Sequence, residues 1–139
     1  MYFVLRRKTH YLEGFFFLMA LLGGWGLEAL FKSIFHRVRP GIDRLIDITG
    51  YSFPSGHATV GFAFYGMLAY LLYLNLKNRW ARILISFLIL IMVFFIGVSR
   101  IYLGVHYPSD VIAGFATGGL ALSASILGLH ATEHHRGKV

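Results

Sequence analysis

Four stretches of this chain run apolar with almost no charge. Gly56–Leu76, Ile83–Ser99 and Val111–Thr132 contain no Asp, Glu, Lys or Arg. The first stretch, Gly14–Leu27, is shorter and is followed by Glu28 before Ala29-Leu30-Phe31. A helix that crosses a bilayer needs about 20 mainly apolar residues. The pattern predicts helices over 11–34, 56–76, 81–102 and 109–131, an all-α integral membrane bundle in a single domain over residues 1–139. The first helix is not read as a cleavable leader, because its apolar run is too long and no small-residue cleavage site follows. Pro40, Gly41, Gly50 and Pro54 mark the 35–55 segment as a loop, and Gly104 and Pro108 do so for 103–108. Lys77-Asn78-Arg79 is a short basic link, and the polar tail from Glu133 is expected to fray.

Composition agrees with a bilayer environment. Of 139 residues, 57% are hydrophobic and only 14% charged, where a soluble domain carries about 25% charged residues. Such a chain buries apolar surface readily, which excludes intrinsic disorder. The absence of cysteine excludes a disulfide framework, a thiolate metal site and a cysteine nucleophile. The net charge of +7 reads as loop charge facing anionic lipid. It does not read as a nucleic-acid surface, since no basic run is interleaved with stacking aromatics. Four spans place both termini on one side. That side holds Arg6, Arg7, Lys8, Lys77, Arg79, Arg82, Arg136 and Lys138; the other holds Lys32, Arg37, Arg39, Arg44 and Arg100. The excess of basic residues predicts cytoplasmic termini, with the 35–55 and 103–108 loops outside.

The ionisable residues at the helix ends gather on that outer side. Lys32 ends helix 1, with Arg39-Pro40 beyond it; Pro54-Ser55-Gly56-His57 opens helix 2; Ser99-Arg100 ends helix 3; His106 and Asp110 flank Pro108 at the start of helix 4. Topology alone brings these ends onto one face. Lys32, Arg39 and Arg100 match the charge of a phosphate group, and arginine binds it in bidentate fashion. The start of helix 2 offers free backbone N–H groups and the positive end of a helix dipole, and Gly56 permits close approach. The result is an anion cradle that needs no metal. Asp110, four residues after His106, is placed to fix the imidazole tautomer and leave the other nitrogen free to attack. His106 is therefore the expected nucleophile, forming a phosphohistidine. His57 is the expected acid for the departing alkoxide and base for the water that follows.

These residues, read together as Lys32-x6-Arg39-Pro40, Pro54-Ser55-Gly56-His57 and Ser99-Arg100-x5-His106-x3-Asp110, resemble the three-part signature of the type 2 phosphatidic acid phosphatases. Those membrane enzymes share their site pattern with vanadium haloperoxidases and bacterial acid phosphatases. The resemblance implies hydrolysis of a lipid phosphate or diphosphate at the membrane surface, without metal or cofactor. Phosphatidylglycerophosphate, phosphatidic acid and undecaprenyl diphosphate are the substrates considered. It implies catalytic roles for His106, His57 and Asp110, phosphate binding by Lys32, Arg39, Ser55, Gly56 and Arg100, and support from Ser99 and Pro54. Membrane members of the family usually have six helices. The four spans here correspond to a partial core lacking the first two, as in a truncated relative or a chain read from an internal start.

That departure keeps two other readings open: an inactive subunit that binds lipid headgroups or assembles with partner helices, and a phosphotransferase using the same histidine. The expected partners are the lipid substrate and membrane lipids, with a second copy or partner helices as candidates and no nucleic acid. Glu28 and Lys32 stand four apart and can form an ion pair that competes with phosphate. Gly114-x3-Gly118 predicts a close helix–helix contact, within the chain or between copies. His134-His135 is read as part of a solvated tail, and His10, His36 and His130 receive no role.

Overall fold

The structure, a computed structural model, describes residues 2–41, 45–46 and 48–136, apart from the side chains of 2–9 and 136. It contains four helices, α1 (Tyr2–Phe35), α2 (Gly56–Asn75), α3 (Arg79–Tyr102) and α4 (Pro108–Arg136). All four are long and apolar enough to cross a membrane, and the chain is a multi-pass membrane protein.

The helix ends are set by local chemistry. Pro108 begins α4, where a missing N–H costs nothing. Asn78 begins α3, its side-chain oxygen accepting from the backbone N–H groups of Trp80 (2.9 Å) and Ala81 (3.3 Å). Two ends run past their predicted limits. α1 starts at Tyr2 rather than near residue 11, and α4 continues to Arg136 rather than stopping near 131. Neither added segment contains Gly or Pro, so nothing interrupts the helix where the apolar stretch ends. The expected fraying from Glu133 is therefore corrected as far as Arg136. The remaining tail, and Arg44 in the outer loop, lie outside the described residues.

α4 packs against both α1 and α2, while α3 packs chiefly along α2 and touches α4 less. The α2–α4 contact is close because glycine removes the side chains between the backbones. A Cβ on Gly114 would strike the Ser55 carbonyl oxygen and the Ala58 side chain, and one on Gly118 would strike the Thr59 carbonyl oxygen. These glycines thus serve a contact inside the chain. Ala20, Met67 and Leu129 form a buried core cluster, with Phe16, Phe17 and Leu122 packed against it. The bare faces of α1 and α3, including Phe15, Leu22, Phe87, Leu90, Phe94 and Phe95, remain exposed, as suits helices solvated by lipid.

Candidate active site

The end of α1, the start of α2, the end of α3 and the loop before α4 enclose a cavity of about 660 Å³. Lys32, Arg39, Gly56, His57, Ser99, Arg100 and His106 all line it. Seven of the ten residues singled out in the sequence therefore share one pocket. Asp110, Ser55 and Pro54 lie behind its wall, each fully buried.

His106 sits in the turn between α3 and α4, only 4% exposed. Arg39 holds one edge of the ring, its Nη1 lying 3.1 Å from Nε2 and 3.0 Å from the Val105 carbonyl oxygen. Arg39 is anchored further by Nε donating to the Gly50 carbonyl oxygen at 3.1 Å. Burial and the adjacent Arg39 guanidinium lower the His106 pKa to about 4, against the opposing pull of Asp110. The imidazole is therefore neutral at physiological pH, the form in which a ring nitrogen carries a free electron pair.

The link from His106 to Asp110 differs from the expected direct bond. Nδ1 and Asp110 Oδ2 are 3.6 Å apart, beyond hydrogen-bond length. Ser52 stands beside both: its hydroxyl donates to Asp110 Oδ2 at 2.5 Å and lies 3.4 Å from His106 Nδ1. Asp110 is fully buried, and its other partners account for that. Oδ1 accepts from Arg37 Nη1 at 2.7 Å, and Oδ2 accepts from the Tyr107 backbone N–H at 2.9 Å. Arg37 also donates to Ser109 Oγ at 2.7 Å and stacks over the Tyr107 ring. Ser52 and Arg37 were not singled out in the sequence. Arg37 stands two residues before Arg39, but nothing in the loop's pattern separates its contacts from those of a surface cation.

Ser55 is the other departure. Its hydroxyl does not line the cavity and has no hydrogen-bond partner among the described residues. Its backbone does the local work: the N–H donates to the Asp110 carbonyl oxygen at 2.9 Å, and the carbonyl accepts from the Thr59 N–H at 2.9 Å. The start of α2 is thereby pinned to the start of α4, and Gly56 and His57 are presented to the cavity. At the α3 end, Arg100 Nε donates to Ser99 Oγ at 3.1 Å, and Ser99 Oγ donates to the Ile96 carbonyl oxygen at 2.7 Å. At the α1 end, Lys32 Nζ donates to Glu28 Oε1 at 2.5 Å, which is the ion pair expected from their spacing.

Below the cationic end, Val60, Gly61 and Tyr65 of α2 and Ile96 of α3 continue the cavity wall. His57, Val60, Gly61 and Tyr65 follow one another along a single face of α2. From residue 57 to 65 such a face descends about 12 Å at 1.5 Å per residue. No cluster of metal-ligating side chains occurs among the described residues.

The sequence profile of the PAP2 superfamily matches residues 13–132. Phosphatidylglycerophosphatase B of Bacillus subtilis is 36% identical over 96 residues, which is 66% of this chain and 46% of that protein. Lipid A 1-phosphatase of Rhizobium etli is 35% identical over 103 residues, covering 67% of this chain and 40% of the relative. The chain thus spans less than half the length of these two curated relatives. Among solved structures, the transmembrane PAP2-type phosphatidylglycerolphosphate phosphatase of Bacillus subtilis superposes with a TM-score of 0.77 at 30% identity, over 81% of this chain and 57% of that one.

Proposed function

The chain belongs to the PAP2 superfamily, and from that premise we propose that it is a membrane lipid phosphatase working through a phosphohistidine on His106. The observation that carries this reading is one cavity with two characters. Two histidines and three cationic side chains line one end of it, and apolar residues of α2 and α3 continue its wall along the bundle. A phosphate headgroup fits the first part and a hydrocarbon tail the second.

In this mechanism Lys32, Arg39, Arg100 and the first backbone N–H groups of α2 hold the phosphoryl oxygens and stabilise the charge spread over them in the transition state. A neutral His106 attacks phosphorus through Nε2, which requires Arg39 to turn from that nitrogen to the phosphate. The phosphorus–oxygen bond to the leaving group breaks (a lipid alkoxide, or the inner phosphate of a lipid diphosphate), and His57 gives its proton to the departing oxygen. His57 then takes a proton from water, the hydroxide attacks the phosphohistidine, and inorganic phosphate leaves with His106 restored. Asp110, through Ser52, keeps the Nδ1 side of the ring oriented while the imidazole gains charge.

Phosphatidylglycerophosphate, phosphatidic acid and undecaprenyl diphosphate are the substrate classes that fit this combination of anionic head and apolar depth. The pocket faces outside and both termini are cytoplasmic in this proposal, on the distribution of basic residues. The test is phosphate release from each lipid by the purified chain in vesicles, with and without chelator. Chelator-insensitive turnover that falls at least a thousandfold in His106→Ala supports the reading. Equal turnover in that variant refutes the mechanism. Binding of the lipids without release would instead favour the headgroup-binding alternative.

A further inference from the structure

Glu28 is the one carboxylate among the described residues lining the cavity. It touches two parts of the anion cradle at once. Oε1 accepts from Lys32 Nζ at 2.5 Å. The same carboxylate lies against Gly56, the first residue of α2, where an added Cβ would collide with both of its oxygens. At that end of α2 the Ser55 side chain makes no capping hydrogen bond. The Glu28 side chain is only 12% exposed. An ordinary ion pair one helical turn apart lies on a solvated face and concerns only its own helix. Glu28 instead reaches from α1 to the positive end of another helix, where anions are favoured.

We propose that Glu28 is the resident anion of this pocket, occupying Lys32 and the start of α2 until a substrate phosphoryl group displaces it. The proposal rests on the reading of the pocket as a phosphate site. A phosphate that enters must separate Glu28 from Lys32, and it then lies close to a like charge. Free inorganic phosphate meets only the cationic groups and helix end that any phosphoryl head meets, and is held weakly. A lipid phosphate gains the apolar wall of Val60, Gly61 and Ile96 in addition. After hydrolysis the tail departs, and the returning carboxylate displaces the inorganic product. Glu28 therefore determines specificity, favouring lipid esters over free phosphate and aiding product release.

The experiment is calorimetric titration of inorganic phosphate into the purified full chain in detergent micelles, comparing wild type, Glu28→Gln, Glu28→Asp and Lys32→Met. Glu28→Gln keeps the shape and removes the charge, and it is expected to bind phosphate about tenfold more tightly. Glu28→Asp draws the charge back from α2 by one methylene and is expected to fall between that variant and wild type. Lys32→Met is expected to bind more weakly than wild type. Glu13→Gln, which alters the carboxylate paired with His10 on α1, is expected to match wild type. If Glu28→Gln binds no more tightly than wild type, the proposal is overturned while the phosphate site stands. If Glu28→Gln fails to fold, equal binding by Glu28→Asp and wild type overturns it. If no variant binds phosphate, the reading of the pocket fails together with the proposal.

Discussion

His106 is held at both nitrogens, and each hold has a measurable consequence. Removing Ser52 leaves buried Asp110 short of one hydrogen bond and frees the Nδ1 side of the ring. Ser52→Ala is expected to lower kcat about tenfold with little change in KM, as measured in steady-state assays. That fall is about 1.4 kcal/mol, within the cost of a missing buried hydrogen bond. The His106 pKa adds a second consequence. In the unfolded chain the ring titrates near 6.5, and in the folded protein near 4. Between those values the unfolded state binds the extra proton, so stability from this group is full above about pH 6.5 and falls as the pH drops towards 4. Thermal unfolding in detergent should show that decline, and His106→Gln should flatten it. An unflattened decline would assign it to other groups. Lys32, His57, Arg100 and Asp110 were readable in the sequence because each sits at a helix end whose position the apolar pattern fixes, and Arg39 and His106, in the adjoining loops, because they complete a spaced signature with those four. Ser52 and Arg37 were not, since a loop has no period from which side-chain direction follows.

At the level of helices, α2 presents Gly56, His57 and an apolar wall to the cavity, and α4 packs closely against it. Gly118 allows the α4 backbone to approach the Thr59 carbonyl oxygen of α2. Gly118→Val is expected to cost about 1–3 kcal/mol through overpacking and to lower the unfolding temperature in detergent. Gly14→Ala, with nothing within 4 Å of the added atom, should leave that temperature unchanged or raise it slightly. The α2–α3 crevice yields a separate prediction. A Cβ on Gly61 meets only Ile96 at ordinary contact distance, so a larger side chain at this position enters the cavity. Gly61→Leu is expected to reduce the ratio of long-chain lipid phosphate to aryl phosphate turnover about tenfold. An unchanged ratio would remove the tail from this crevice. The four spans were readable because long charge-free stretches need no partner to be recognised. Their ends were less so: Tyr2–His10 and Thr132–Arg136 contain no helix breaker, and polarity alone does not stop a helix.

For the whole molecule, the alternating direction of four helices gathers the cavity-lining histidines and cations at one end of the bundle. The sequence contains no cysteine, so single introduced thiols report that orientation cleanly. Gly41→Cys should react with an impermeant maleimide on intact cells, and Lys77→Cys only after permeabilisation. The reverse pattern would invert the topology. The grouping of helix ends followed from alternating direction alone, whereas the α2–α4 closeness depended on glycines whose partner, within the chain or in another copy, sequence spacing does not specify. Whether His106 carries the phosphoryl group is decided by locating the covalent phosphate after rapid quenching of the chain with a labelled aryl phosphate. Acid-labile label on His106 is the expected result. Label on His57 or any other residue would contradict it.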